Sequence, residues 1–488
     1  MEKDGMKMMV KVTKRETVKA VMPLQEYWLP HSNLDLLLPP LDVSVFFCYT
    51  KTVVNPNPDG AMVGAPPTFA SMIEALKSSL AQVLVSYYAF AGEVVMNSVS
   101  EPETLCNNSG VDFVEAAASF QLRFLDLYDP DESVQGKLLP TKRRGVLAVQ
   151  ATEFECGGIV VACTFDHRVA DAYSANMFLL SWAEMCRSSK VTIVPCFRRS
   201  LLYPRYQNHC YPHHLGIDQM YVTLSELPPS PPRPSKSMQE PDDGAANSSL
   251  ISRIYCVTAS QLQQLQQLAS SGVDRKRTKL EAFSSFLWKM LAKSTSVDSG
   301  GVGMLTTVSV GIVVDGRTKL IRADMSSYFG NVLSILIGEE NASELVERPL
   351  SSVAATLHEL LHTAATEEHF LALIDWVEAH RPEASMTKIY AKGTEGGGGG
   401  GGSLAFVVSS GLRFPMSEID FGWGRPVFGS YHFPWGGETG YVMPMPSPIS
   451  NGDWIVYMHL LQPQINFIET EAAHFFRPLN FKYLIHNA

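Results

Sequence analysis

The 488-residue sequence contains no apolar run near the 18 residues that a membrane-crossing helix needs; its longer stretches, such as Ile159–Phe165, are strand-sized. A membrane span is therefore not expected. Blocks of Lys and Arg are also missing beyond short pieces such as Arg275–Lys276–Arg277, and 39 cations against 49 carboxylates leave a net charge of −10. That balance speaks against a nucleic-acid partner. Met1–Ala20 mixes Lys, Glu and Asp without an apolar core, so no secretory leader is expected. Ile485–Ala488 is neither a peroxisomal nor an ER-retention signal, and the expected location is cytoplasmic. None of the eight cysteines (48, 106, 156, 163, 186, 196, 210 and 256) forms a Cys-x-x-Cys pair. They read as reduced, mostly buried thiols rather than disulfides or a zinc framework. The sequons at Asn107, Asn247 and Asn341 then read as chance matches. No internal repeat is present.

What is there is ordinary globular composition, 45% apolar and 18% charged, at a length that suggests two or three domains. Val43–Cys48 is β-prone. Thr68–Tyr88 carries Met72, Leu76, Leu80 and Leu84 at helical spacing. Gly145–Phe154 and Gly158–Phe165 read as two strands joined at a glycine pair, and Ala172–Cys186 reads as a helix. Leu227–Asn247 holds Pro228–Pro229–Ser230–Pro231–Pro232–Arg233–Pro234, which suits neither helix nor central strand, and is expected to link two halves. Beyond it, Ser252–Val257, Leu305–Val314 and Asn331–Ile337 read as strands, and Ala259–Leu268 and Lys279–Leu291 as helices. Leu404–Phe467 returns to strands with many turn residues. The seven glycines Gly396–Gly402 read as a surface loop; no Gly-Lys-Ser/Thr follows to make a phosphate cradle.

Two motifs could carry chemistry. In Thr164–Asp171 an apolar strand delivers His167, and Asp171 follows four residues later. Apolar surroundings disfavour imidazolium and leave a histidine able to accept a proton. Read alone, H-x-x-x-D is weak, and a structural histidine explains it as readily. Asp420–Phe421–Gly422–Trp423–Gly424 marks a sharp turn with close backbone approach, and a packed aromatic turn explains it fully.

Together, in this order and at these places, the two motifs resemble the plant BAHD acyl-CoA-dependent acyltransferases. Leu34–Asp35, Tyr87–Gly92, Phe154–Gly158, Asp315–Gly316–Arg317 and Tyr328–Asn331 extend the resemblance from about Val10 to Pro478. Ser430–Pro446 looks most like the coniferyl alcohol acyltransferase branch. The resemblance implies an α/β fold of two similar-sized chloramphenicol-acetyltransferase-like domains with a solvent channel between them. Residues 1–226 would carry H-x-x-x-D, 227–250 would cross over, and 251–488 would carry D-F-G-W-G. It also implies that His167 takes the proton of an acceptor hydroxyl and returns it to the departing CoA thiolate, with no covalent acyl-enzyme. Asp171 would be structural and paired with Arg317. Gly422 and Trp423 would support the channel, and Asp420 is a minor candidate for a second acid/base group. Ser409, Ser410 or the Trp423 indole could donate to the thioester oxygen. Acyl-CoA is then a co-substrate, with no bound cofactor and no metal. The expected reaction is acyl transfer, acetyl as first choice of donor, to a phenylpropanoid alcohol such as coniferyl alcohol by a monomer. A hydroxycinnamoyl-CoA donor or an amine acceptor is the alternative within the class. A catalytically silent binding protein is an alternative of another class.

The sequence departs from the family pattern at Ala172 (usually Gly), Ala89 (often Pro) and Gly411, where many members carry Trp. The missing indole at Gly411 is expected to enlarge the acceptor side. A rival motif, His358–Glu359–Leu360–Leu361–His362, matches the H-E-x-x-H of zinc proteases, with Glu383 a conceivable third ligand. The metzincin extension fails at Ala365 and Glu368. An amphipathic helix explains the motif without metal. His213–His214, His459, Met443 and Met445 read as solvated or packing residues.

Overall fold

A computed structural model describes residues 8–23, 25–51, 67–205, 216–227, 249–272, 275–298, 307–321, 324–391, 403–449 and 451–486. Cys210, His213–His214, the Asn247 sequon, nearly all of the proline-rich linker and the glycine run lie outside these residues.

Two large sheets organise the molecule. The first has six strands in the order Val10–Val18, Val111–Ala118, Leu147–Phe154, Ile159–Asp166, Asp42–Tyr49 and Phe428–His432. All pairs are antiparallel except Val111–Ala118 with Leu147–Phe154. The second has seven: Leu333–Asn341, Thr307–Asp315, Leu404–Val408, Gly440–Pro446, Trp454–Leu461, Leu250–Val257 and Arg477–Pro478. Smaller sheets pair Tyr27–Pro30, Pro102–Cys106 and Glu93–Met96, and join Tyr221–Thr223 to Ser385–Thr387.

Ile159–Asp166 lies inside the first sheet with all eight residues buried, which is why it reads as a continuous apolar run rather than an alternation. Its hairpin to Leu147–Phe154 turns at Gly157, whose φ of +75° suits glycine. Helix Ala172–Ser188 starts at Asp171, whose side chain accepts from the Ser174 N–H. It packs on helix Phe69–Val83, and the Trp182 indole donates to the Leu76 carbonyl at 3.1 Å. Helices Ala259–Ala269, Lys279–Asp298 and Leu350–Ala364 pack together beside the second sheet.

The sheets exchange chain. Phe428–His432 comes from the far end of the sequence, yet pairs antiparallel with Asp42–Tyr49, Tyr431 opposite Val45. One apolar core accordingly runs from Phe46, Phe47 and Phe165 in the first sheet to Val407, Met443 and Tyr457 in the second. No described helix is long and apolar enough to cross a membrane.

Candidate active site

Directly after Asp166 the chain bends, and the bend is held from several sides. The His167 N–H donates to the Leu41 carbonyl at 2.9 Å. Asp166 accepts from the Arg168 N–H and receives its guanidinium at 2.9 and 2.7 Å. The carbonyls of His167 and Arg168 accept from the Asn331 amide at 3.0 and 3.2 Å. Asn331 is itself held by Asp35, through its N–H at 2.7 Å and its amide at 2.9 Å. Asp35 is fully buried. Burial alone would push its carboxyl up, but the Arg199 guanidinium, His31 and hydrogen bonds from Ser32 and Asn331 hold it below the usual value. His167 thus sits on a backbone fixed from a distant loop, with Phe433 meeting the ring edge-on at a centroid distance of 6.3 Å. Its Nδ1 is buried without a hydrogen-bond partner among the described residues.

Asp171 meets Arg317 in a fork, at 2.7 Å to Nη1 and 3.1 Å to Nη2. The carboxylate also accepts from the N–H groups of Ser174 and Val332. The guanidinium donates onward to the Ser174 hydroxyl and the Tyr328 and Gly330 carbonyls, and stacks over Tyr173 at 4.4 Å. The aspartate side chain has no exposure and that of Arg317 only 3%. The pair bolts the loop after His167 to the segment Gly316–Val332.

A cavity of about 1010 Å³ opens beside His167. Both sheets line it: Val43, Phe165 and Tyr431 from the first, Val313, Tyr441 and Met443 from the second. Arg317 and Asp315 reach its wall; Asp171 does not. Ser409 and Ser410 line it, with the Ser409 N–H bonded to the Val442 carbonyl at 2.9 Å.

Gly411 corrects an expectation. It does not line the cavity, and a Cβ there would lie 2.8 Å from Met445 and 2.9 Å from Phe414. The space that an indole would take is filled by Phe414, which does line the cavity and packs on Tyr431. The turn around Asp420 also stands apart. The Asp420 carboxylate accepts from the N–H groups of Gly422 and Gly424, both at positive φ, and lies 3.8 Å from Arg187. Phe421 and Trp423 stack on each other, and both pack edge-on to Tyr49. Neither Asp420 nor Trp423 lines the cavity, so the indole is not placed to donate to a thioester oxygen there.

The rival motif lies on helix Leu350–Ala364. His358 Nδ1 bonds to Glu281 at 2.6 Å, and the His358 and His362 rings stand 5.9 Å apart. Among the described residues no three His, Cys, Asp or Glu side chains gather into a metal-holding group. Sequence reasoning gave no role to Asn331 or Asp35. Both fell inside segments that resembled the family, but nothing local ties either to His167.

Two joined sheets, a cavity across them and an H-x-x-x-D histidine in its wall define a class of acyl-transfer protein, and the comparisons agree. The Transferase family profile matches residues 8–475, and the chain belongs to that family, the BAHD acyltransferases; it is an acyltransferase. Hydroxycinnamoyltransferase 1 of Oryza sativa subsp. japonica is 28% identical over 441 residues, covering 86% of this chain and 90% of its own. Shikimate O-hydroxycinnamoyltransferase of Nicotiana tabacum is 25% identical over 482 residues, covering 95% and 99%. The crystal structure of vinorine synthase superposes with a TM-score of 0.67 at 20% identity, covering 97% of this chain and 100% of that one.

Proposed function

We propose that this chain moves an acyl group from an acyl-CoA thioester to the hydroxyl of an uncharged phenylpropanoid alcohol, with His167 as general base. The observation that carries the reading is the position of His167 in the wall of the cavity while its motif partner Asp171 is bound away behind it. His167 takes the acceptor O–H proton as the oxygen attacks the thioester carbonyl. The tetrahedral intermediate then expels the CoA sulfur, which receives that proton from His167. No serine or cysteine among the described residues hydrogen-bonds to the His167 ring, which favours direct transfer over an acyl-enzyme. Ser409 and Ser410, both in the cavity wall, are assigned as donors to the thioester oxygen.

The wall also bears on the acceptor. Besides His167, its charged residues among those described are Arg317 and Asp315, paired with each other, and the exposed Asp324 and Arg413. Beside His167 itself, a carboxylate such as that of shikimate, or a polyamine, would lose its hydration without gaining a free counter-charge, because Arg317 is held by Asp171 and Asp315, and Asp324 and Arg413, unpaired with any charge among the described residues, are exposed to solvent. A neutral alcohol such as coniferyl alcohol avoids that cost. For the donor, a hydroxycinnamoyl thioester has more support than acetyl. The cavity is at the large end for small-molecule sites, and the relatives named above are hydroxycinnamoyltransferases. A monomer acting in the cytoplasm completes the proposal.

The test follows thiol release from acetyl-CoA and p-coumaroyl-CoA with coniferyl alcohol, shikimate and putrescine. Release with coniferyl alcohol should fall about 10²- to 10⁴-fold in His167→Ala, the usual contribution of a general base. Undiminished turnover in that variant, or release only with the charged acceptors, would overturn the reading.

A further inference from the structure

Most polar groups in the inner wall of the cavity are already committed to the protein. The Ser334 hydroxyl is shared between His369 at 2.8 Å and Tyr221 at 2.9 Å. The Tyr221 hydroxyl also accepts from the Ile335 N–H at 3.1 Å, and the Thr387 hydroxyl donates to the Met220 carbonyl at 3.1 Å. Asn176 and Tyr431 differ. Both line the cavity, with 4% and 1% of their surface exposed. Among the described residues the amide nitrogen and oxygen of Asn176 and the hydroxyl of Tyr431 make no well-formed hydrogen bond, although the two side chains stand close enough for the amide to act on the phenol. Three buried polar atoms without well-formed hydrogen bonds, set among Phe165, Met177, Leu180 and Phe414, are costly unless something else satisfies them.

We propose that Asn176 and Tyr431 form a polar subsite that binds the phenolic hydroxyl of a phenylpropanoid unit whose three-carbon end reaches His167. The amide offers both an acceptor and donors, and the tyrosine can donate or accept, so the pair suits a group that itself does both. Burial pushes the Tyr431 phenol well above its ordinary value, so it remains a neutral donor. The spacing fits as well. Tyr431 lies in strand Phe428–His432 and Phe433 follows directly after its end; both line the cavity, and Phe433 faces the His167 ring edge-on. Two residues of strand span roughly 7 Å, about the length of an aromatic ring with part of its side chain. Phe414, packed on Tyr431 at a centroid distance of 5.3 Å, offers the ring an apolar neighbour. The hydroxyl oxygen of a cinnamyl alcohol and the carbonyl oxygen of a hydroxycinnamoyl thioester are both borne on the terminal carbon of the three-carbon chain, so the subsite could hold either reactant.

The inference rests on the acyl-transfer reading above, and equilibrium binding separates the two because it needs no turnover. The full chain is titrated with p-coumaryl alcohol against cinnamyl alcohol, and with p-coumaroyl-CoA against cinnamoyl-CoA, and compared with Tyr431→Phe and Asn176→Leu. The wild type should bind the phenolic member at least tenfold more tightly in one of the two series. Tyr431→Phe, which removes one oxygen and keeps the packing, should bring that ratio near unity. Asn176→Leu should do the same. Preference in the alcohol pair assigns the subsite to the acceptor, and preference in the thioester pair assigns it to the donor. Equal binding of both members in both series, or a preference that survives both substitutions, would overturn the inference. Discrimination in binding without thiol release would leave the subsite standing and remove the acyl-transfer reading.

Discussion

A carboxylate and a guanidinium taken out of water together are tolerated only when geometry and extra hydrogen bonds compensate both, and Asp171 with Arg317 meets that condition. Removing one member leaves the other as a buried charge. Arg317→Met should therefore cost about 3–5 kcal/mol, and Arg317→Lys less, since an ammonium keeps the charge but loses the fork. Calorimetric melting at neutral pH reads both; a methionine variant as stable as wild type would contradict the bolt. At this scale the sequence was partly legible. His167 and Asp171 are four residues apart on one bend, so a local motif reveals them. Arg317 was reached only through resemblance to a family. Asn331 and Asp35 were not reached, because the pairing that makes them matter spans 296 residues.

Strand Phe428–His432 shows what the element scale adds. It is too short and too mixed to announce its partner, and Gly429 has a second duty besides flexibility. A Cβ there would stand 2.8 Å from the Phe47 ring and 3.1 Å from Met416. Gly429→Val should overpack this contact at a cost of about 1–3 kcal/mol and displace Tyr431 and Phe433 with it. Thermal midpoint and turnover should both fall; a variant with wild-type values would mean that the strand has slack. The elements near Val43–Cys48, Gly145–Phe165 and Ala172–Cys186 were legible because long buried runs and helical spacing leave few options. Which strands would neighbour which was not, since sheet order is set by long-range packing rather than by any one segment. Gly411 fits the same lesson: an absent side chain suggested a void, but Phe414 had filled it.

For the whole molecule, pH is the broadest probe. Burial pushes His31 and His369 down to about 4 and His432 down to about 3, from an ordinary 6.5. Between about 6.5 and 4 the unfolded chain therefore binds protons that the folded chain refuses, and stability falls as pH falls. Each histidine contributes up to about 1.4 kcal/mol per pH unit in that window. The melting temperature should drop steadily from pH 7 to 5, less steeply in His369→Gln; a flat profile would contradict the buried neutral histidines. The exchanged strand has a further consequence, for synthesis on the ribosome. Asp42–Tyr49 emerges early, with seven of its eight residues destined for burial, and its last neighbour follows roughly 380 residues later. At translation rates of about 5–20 residues per second, that edge stays open for about 20–80 s. During this interval the nascent chain offers an unpaired apolar strand to any other chain within reach, so a holdase that covers residues 42–49 would determine how much of the product escapes aggregation.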